Sequence, residues 1–447
     1  MQIFTICCLI TFLWLVFGYS LSFAPTFSNG PIDDLAKEVY GNGDRLWLRG
    51  MMTKTVHMLA PTVPEAIFCA YQLAFAIITA GLICGSFADR MKYHSMIIFI
   101  TLWHIGVYCP LAHSNWHPHG WLYQLGVLDY AGGNVVHICS GVSGLATVLV
   151  IGNRKGFGKE RFEPHNILVT FMGMSMLWVG WYGFNAGSAY GANQNACYAL
   201  LATQISTSVS ALMWMFTEWG VRKQPSILGM INGAVAGLVC ITPAAGFVDM
   251  TGAFFIGFFG GPLCYLGAQL KHYLGVDDAL DAFGVHAIGG IVGGIAVAFF
   301  ATDKVALPFS YGKKAGEPIL GVYYGSIDVG GHQLAVQLVG ICYAIGWSFI
   351  VSYAILQAID KTIGLRVSSA DEVTGLDSSI HGELYDSGDV SHLLKTHNID
   401  YNTEFLPPVE VLINPIDGVT SEKPKLLSSG AWKNGSMNQL LPVEVTV

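Results

Sequence analysis

The chain is 447 residues long, 53% hydrophobic and 12% charged, a balance too apolar for a soluble protein and long enough for many membrane spans. Its formal charge of −8 comes largely from polar loops and the C-terminal segment, so no nucleic-acid partner is expected. Ten cysteines are scattered without Cys-x-x-Cys or Cys/His metal spacing, many inside apolar runs, and read as small packing residues. With no nucleotide-binding glycine motif, metal cluster or nucleophile beside a base, the residues point away from an enzyme and call for no cofactor.

Apolar runs near the ~20 residues needed to cross a bilayer recur at about 3–23, 64–88, 94–113, 133–151, 165–187, 195–219, 226–248, 252–275, 284–301 and 332–359. They predict roughly ten helices, an all-α polytopic membrane bundle. The first run lacks a basic n-region and is longer than the usual signal-peptide core, so it reads as a true span. Arg90, Lys92, Arg154, Lys155, Lys159, Arg161, Arg222, Lys223 and Lys271 fall in alternate loops, which are therefore cytoplasmic. Loops 114–132 and 188–194 carry no Lys or Arg and face outside, as do the longer loops 25–60 and 302–331. This topology puts Met1 and everything after Asp360 inside. From about residue 361 the composition turns polar, and 391–447 shows no sustained periodicity, as expected of a mobile cytoplasmic tail. The sequon Asn434-Gly435-Ser436 lies in that tail, on the wrong side for glycosylation.

Two histidines inside apolar segments are followed by the same pattern: Val136-His137-x-x-Ser140-Gly141-Val142-x-Gly144 and Val285-His286-x-x-Gly289-Gly290-Ile291-x-Gly293. In a helix, positions i, i+4 and i+7 share a face. Each histidine therefore sits with two glycines, and small residues let membrane helices approach until the imidazoles touch. An ionisable residue in a span is a functional-site hypothesis by default, and a repeated pair strengthens it. The two histidines also mark two halves, divided near residue 160, the first with four spans and the second with five plus a final helix. Weak internal repeats of this kind are typical of inverted-repeat transporters, whose substrate site lies at the interface of the halves.

Tyr71 and Phe75 are spaced i, i+4; Trp181, Phe184 and Ser188 are spaced i, i+3, i+7. Both sets lie toward the outside end of their spans, where aromatic rings and one hydroxyl can converge on a vestibule. A small cation against π-faces gains ~0.5–2 kcal/mol per ring, an arrangement suited to ammonium-like guests, and Trp116 can supply another ring. Asp129 stands at a helix start, where its carboxylate suits free backbone N–H groups. Buried imidazoles prefer the neutral form, so two facing rings share a proton and still offer hydrogen bonds to ammonia or water. A bare cation in the same lane meets a heavy desolvation cost.

These residues resemble the ammonium transporters of the Amt/Mep group. DYAGGNVVH, GFNAGSA, VDDALDAFGVHAIGG and GLDSSIHGE follow that family's motifs in order, over about residues 10–385. The resemblance implies that His137 and His286 are twin pore histidines, Phe75 and Phe184 a stacked phenyl gate and Trp181 a pore-lining aromatic. It implies that Trp116, Ser188 and Phe75 recruit ammonium, with Asp129 tied to recruitment and deprotonation. It further implies a plasma-membrane homotrimer with one pore per subunit, a transport domain over 1–360 and a cytoplasmic regulatory tail over 361–447. Gly375, Asp377 and Ser379 lie in the family's tail segment, where a cytoplasmic regulator is expected to act. The Trp-plus-Ser outer site is absent from Rhesus-type ammonia channels, the near alternative; an ammonium sensor signalling through its tail is the alternative from another class. Asn232 stands where many members carry a pore-lining serine, and Ala287 where glycine is usual. FLWLVFGYSLSFA resembles the family's second span, from which an upstream apolar span is expected.

Overall fold

A computed structural model describes residues 1–24, 37–52, 54–160, 162–305 and 319–383. The remaining segments, among them 391–447 with Asn434-Gly435-Ser436, lie outside the described residues. Among the described residues there is no β-strand, and nine helices are long and apolar enough to cross a membrane. They are α1 (Gln2–Phe23), α2 (Glu65–Phe87), α3 (Tyr93–Leu125), α4 (Gly133–Ile151), α5 (Ile167–Ala189), α6 (Gln194–Arg222), α8 (Met250–Leu274), α9 (Phe283–Phe300) and α10 (Ile327–Thr362). A tenth apolar helix, α7 (Ile227–Ile241), is shorter.

The run expected at 226–248 stops early as a helix at Ile241, next to Pro243, which has no N–H with which to continue the hydrogen-bond ladder; turns complete the segment through Phe247. Several starts are capped by the residue types that cap in water: Asn166, Asn193, Ser226, Asp249 and Ser326 each accept the N–H three residues on. In lipid every backbone group must be satisfied internally. Where helix turns widen to the π form, at Trp14–Gly18, His104–Tyr108, Gly133–Ile138 and Phe283–Ala287, partners are displaced. Two of the carbonyls in α3 are met from outside: Tyr40 Oη donates to Ile105 O at 3.1 Å and Trp347 Nε1 to Gly106 O at 3.1 Å.

Helix α6 packs along α7 and α8, while α4 packs against α2 and α10 and crosses α9 near the centre of the bundle. The α4–α9 crossing uses one glycine from each repeat. A Cβ at Gly141 would lie 2.4 Å from Ala287 N, and one at Gly290 would lie 2.8 Å from Gly133 O. The glycines at i+7 do different work from that expected of a shared face: Gly144 abuts Ser86 on α2, and Gly293 abuts Cys240 on α7. Each histidine helix is thus clamped on two sides.

At the end that gathers the basic loops, Arg90 is fully buried and donates to the carbonyls of Ala88, Gly152 and Asp277. Arg154 grips the Asp277 carboxylate through Nε and Nη2 at 2.7 and 2.9 Å. Residues after α10 return to this hub: Lys92 N donates to Leu365 O and Val367 N to Arg90 O. Two short helices, Ser369–Thr374 and Leu376–His381, follow.

Candidate functional site

The local start of α4 explains the place of His137. Asp129 is buried, and its two carboxylate oxygens accept the N–H groups of Gly132, Gly133, Asn134 and Val135 at 2.5–3.3 Å. Burial pushes this carboxyl above the ordinary carboxylate value, and the four N–H bonds act in the opposite direction. Gly132, at φ +110°, makes the turn into the helix, and His137 follows on its first turns. In α9 the matching task falls to Asp278, which accepts Phe283 N at 2.7 Å, three residues before His286.

His137 Nδ1 and His286 Nδ1 lie 3.3 Å apart, with ring centroids separated by 5.4 Å and planes by 18°. A neutral imidazole has one donor and one acceptor nitrogen. Whichever ring donates through Nδ1 therefore keeps Nε2 as an acceptor, while its partner presents Nε2–H. The pair offers one acceptor and one donor along its edge. His137 Nε2 is buried with no hydrogen-bond partner in the structure, which leaves it free for a small polar guest.

A column of rings leads to this pair. Trp181 lies flat on His137 at 5.4 Å and 7°, Phe184 lies 5.0 Å from Trp181, and Phe75 stacks on Phe184 at 4.2 Å and 23°. Trp116 stands edge-on to Phe75 at 5.5 Å and 86°; its indole N–H is spent on Asp129 O at 2.9 Å, so the ring face is what it offers. Ser188 sits on a tighter turn, Gly187–Ala189, that closes α5, and its hydroxyl contacts Tyr71 Oη at 2.9 Å. The structure thus gathers Trp116, Phe75, Phe184, Trp181, His137 and His286 into one continuous column, with Ser188 at its side and Asp129 beneath Trp116. Asn232 is half-buried on α7. Gly375, Asp377 and Ser379 lie apart, at and within the helix Leu376–His381, where Ser379 Oγ is 3.4 Å from Asp371 O.

Sequence reasoning missed two supporting residues. Thr242 accepts the Trp181 indole N–H at 2.9 Å, and Asn115 accepts the side-chain amide of Asn134 at 3.0 Å. Both pairings join residues remote in sequence, and a single threonine or asparagine carries no pattern that announces its partner. Among the described residues no group of three or more His, Cys, Asp or Glu is placed to hold a metal.

The sequence profile of the Ammonium Transporter Family matches residues 1–385. An ammonium transporter of Bacillus subtilis (strain 168) is 39% identical over 384 residues, covering 86% of this chain and 88% of the relative. The crystal structure of Saccharomyces cerevisiae Mep2 superposes with a TM-score of 0.73 at 32% identity, covering 82% of this chain and 79% of that one. Candida albicans Mep2 also gives 0.73, at 34% identity over 82% and 77% of the two chains. A helical bundle of membrane-spanning length, closed around two facing histidines and matched along most of its sequence, identifies the chain as a member of the ammonium transporter family.

Proposed function

We propose that the chain takes up ammonium at an outer aromatic and hydroxyl site, strips its proton, and passes ammonia along a dry lane lined by two histidines. The observation that carries this reading is the His137–His286 contact at the end of the ring column. Trp116, Phe75 and Ser188 hold the cation form: π-faces attract positive charge, and a hydroxyl oxygen accepts an N–H. Phe75 and Phe184 close the way behind it. A permanent charge carried past the stacked rings would lose its hydration with no counter-charge, at a cost of several kcal/mol or more. Ammonia avoids that loss and finds the free donor and acceptor nitrogens of the imidazole pair. Asp129 supports the site by accepting the Trp116 indole N–H at its carbonyl and by placing negative charge near the recruited cation, while the released proton travels separately or with the ammonia.

The same reading assigns the transport domain to residues 1–360 and a regulatory tail to 361–447, a homotrimer with one lane per subunit, and a place in the plasma membrane. A cytoplasmic regulator acts through the tail. Methylammonium uptake by cells that lack their own ammonium transporters tests the core of the proposal. Saturable uptake, competed by ammonium, is expected. Uptake no greater than that of empty cells, with the protein verified in the membrane, would overturn it.

A further inference from the structure

Gln333 and Gln337 stand one turn apart inside the apolar run of α10, and both are buried. Gln337 uses its amide completely. Its Oε1 accepts Leu128 N at 2.7 Å and the Gln333 amide at 3.2 Å, while its Nε2 donates to Leu128 O at 2.8 Å and to Gly294 O at 3.1 Å. A side-chain amide has two donors and two acceptor lone pairs, so no capacity is left over. The surroundings fix its orientation: turned over, the amide would set N–H against the Leu128 N–H and its oxygen against two carbonyls.

The two backbone partners give this tie its meaning. Leu128 precedes Asp129, whose carboxylate starts α4, and His137 follows nine residues after Leu128. Gly294 lies on α9, eight residues after His286. Because α4 runs toward the basic hub and α9 away from it, both bonded points lie on the same side of the histidine pair. One planar amide from the final helix therefore fixes the start of one histidine helix against the body of the other. The seat of α10 is tight there: a Cβ at Gly340 would lie 2.8 Å from Val127 Cγ1 and 3.1 Å from Asn134 Nδ2, and one at Gly294 would lie 3.1 Å from Ile341 Cδ1. Gln333, by contrast, donates to Gly126 O at 3.0 Å and ties no carbonyl of α9.

We infer that Gln337 is a positioning residue of the ammonia lane: by pinning the α4 start to α9 through a single amide, it sets His137 against His286. The inference rests on the reading of that histidine pair as the lane. Gln337 touches no guest in this scheme and acts through the two backbones it holds.

The test compares methylammonium uptake, corrected for protein in the membrane, in Gln337→Met, Gln337→Asn, Gln333→Met and His137→Ala. Gln337→Met keeps the length of the side chain but makes none of the four bonds. Its maximal rate is expected to fall about tenfold, the weight of one well-placed hydrogen bond, while half-saturation stays within about twofold because the outer rings keep their own partners. Gln333→Met, which loses buried bonds one turn away, should melt at a lower temperature yet keep its rate within about twofold. Gln337→Asn retains the amide on a stem one carbon shorter, so it cannot meet Leu128 and Gly294 together; it should also be slow, and it decides the matter if Gln337→Met fails to reach the membrane. Parent-like rates in the Gln337 variants, with His137→Ala impaired, overturn the inference and leave the lane standing, whereas a parent-like His137→Ala removes the lane itself. Equal rate losses in Gln333→Met and Gln337→Met would mean general loosening and also overturn it. A second measurement needs no uptake: in the structure of purified Gln337→Asn the two Nδ1 atoms should stand beyond hydrogen-bond distance, and a separation unchanged from 3.3 Å would overturn the inference.

Discussion

Trp181 donates its indole N–H to the Thr242 hydroxyl at 2.9 Å, and Thr242 donates onward to Leu238 O at 2.7 Å. The ring that lies flat on His137 is therefore held from just beyond the end of α7. Thr242→Val should leave a buried indole N–H without an acceptor, a cost of about 1–3 kcal/mol, and let the ring slide from its stacked position. Slower methylammonium uptake with a lowered melting temperature is expected, and Thr242→Ser should restore both. Parent-like uptake in Thr242→Val would mean that neighbouring side chains alone fix the ring.

The imidazole pair makes a sharper demand. His137→Ala or His286→Ala leaves the other ring without its Nδ1 partner and opens the lane to water. Each variant should reach the membrane, yet lose ammonium transport or alter its selectivity. Rates, ion selectivity and substrate preference equal to those of the parent in both variants would defeat the twin-histidine lane.

Asp278 gives a pH dependence of stability. Burial, with Asp281 nearby, pushes its carboxyl up to about 6 from an ordinary value of 3.8. A carboxyl whose folded value lies above its unfolded one holds its proton more tightly in the folded protein. Stability therefore falls as pH rises from about 3.8 to about 6 and stays at the lower level above that window. Asp278→Asn keeps an oxygen for Phe283 N and carries no charge. It should stabilise the protein at pH 8, by at most about 3 kcal/mol, with little gain at pH 4. Thermal melting of the purified protein at both values decides the matter; a lower melting temperature at pH 8 would show that the carboxylate is needed in its charged form.

The tail offers a regulatory prediction. Ser379 lies in a segment with Asp371, Glu372, Asp377 and Glu383, of which Glu372 is bound by Arg366 at 2.8 Å. A phosphate there adds ~1.5–2 negative charges to an already acidic segment beside the Arg90–Arg154–Asp277 hub. Ser379→Asp is expected to close all lanes of a trimer together. Mixed trimers whose uptake tracks the fraction of parent subunits would rule out the concerted effect.

How much of this was legible beforehand follows from the range of the forces involved. The apolar runs place the spans, because a bilayer imposes its thickness on any sequence that crosses it. The two His-x-x-x-Gly repeats pick out the histidines because helical periodicity acts within a few residues. Likewise Asp129 reads as a helix start because its four N–H partners all lie within six residues. Those features belong to the sequence by itself. Only the tertiary structure decided that the i+4 glycines meet at the α4–α9 crossing while the i+7 glycines face other helices, that Thr242 holds Trp181, and that Tyr71 reaches across to Phe184 and Ser188. Each of these joins residues 40 or more positions apart, and such contacts depend on how helices rotate and stack against one another, which side-chain volume and polar satisfaction settle jointly and no local pattern encodes.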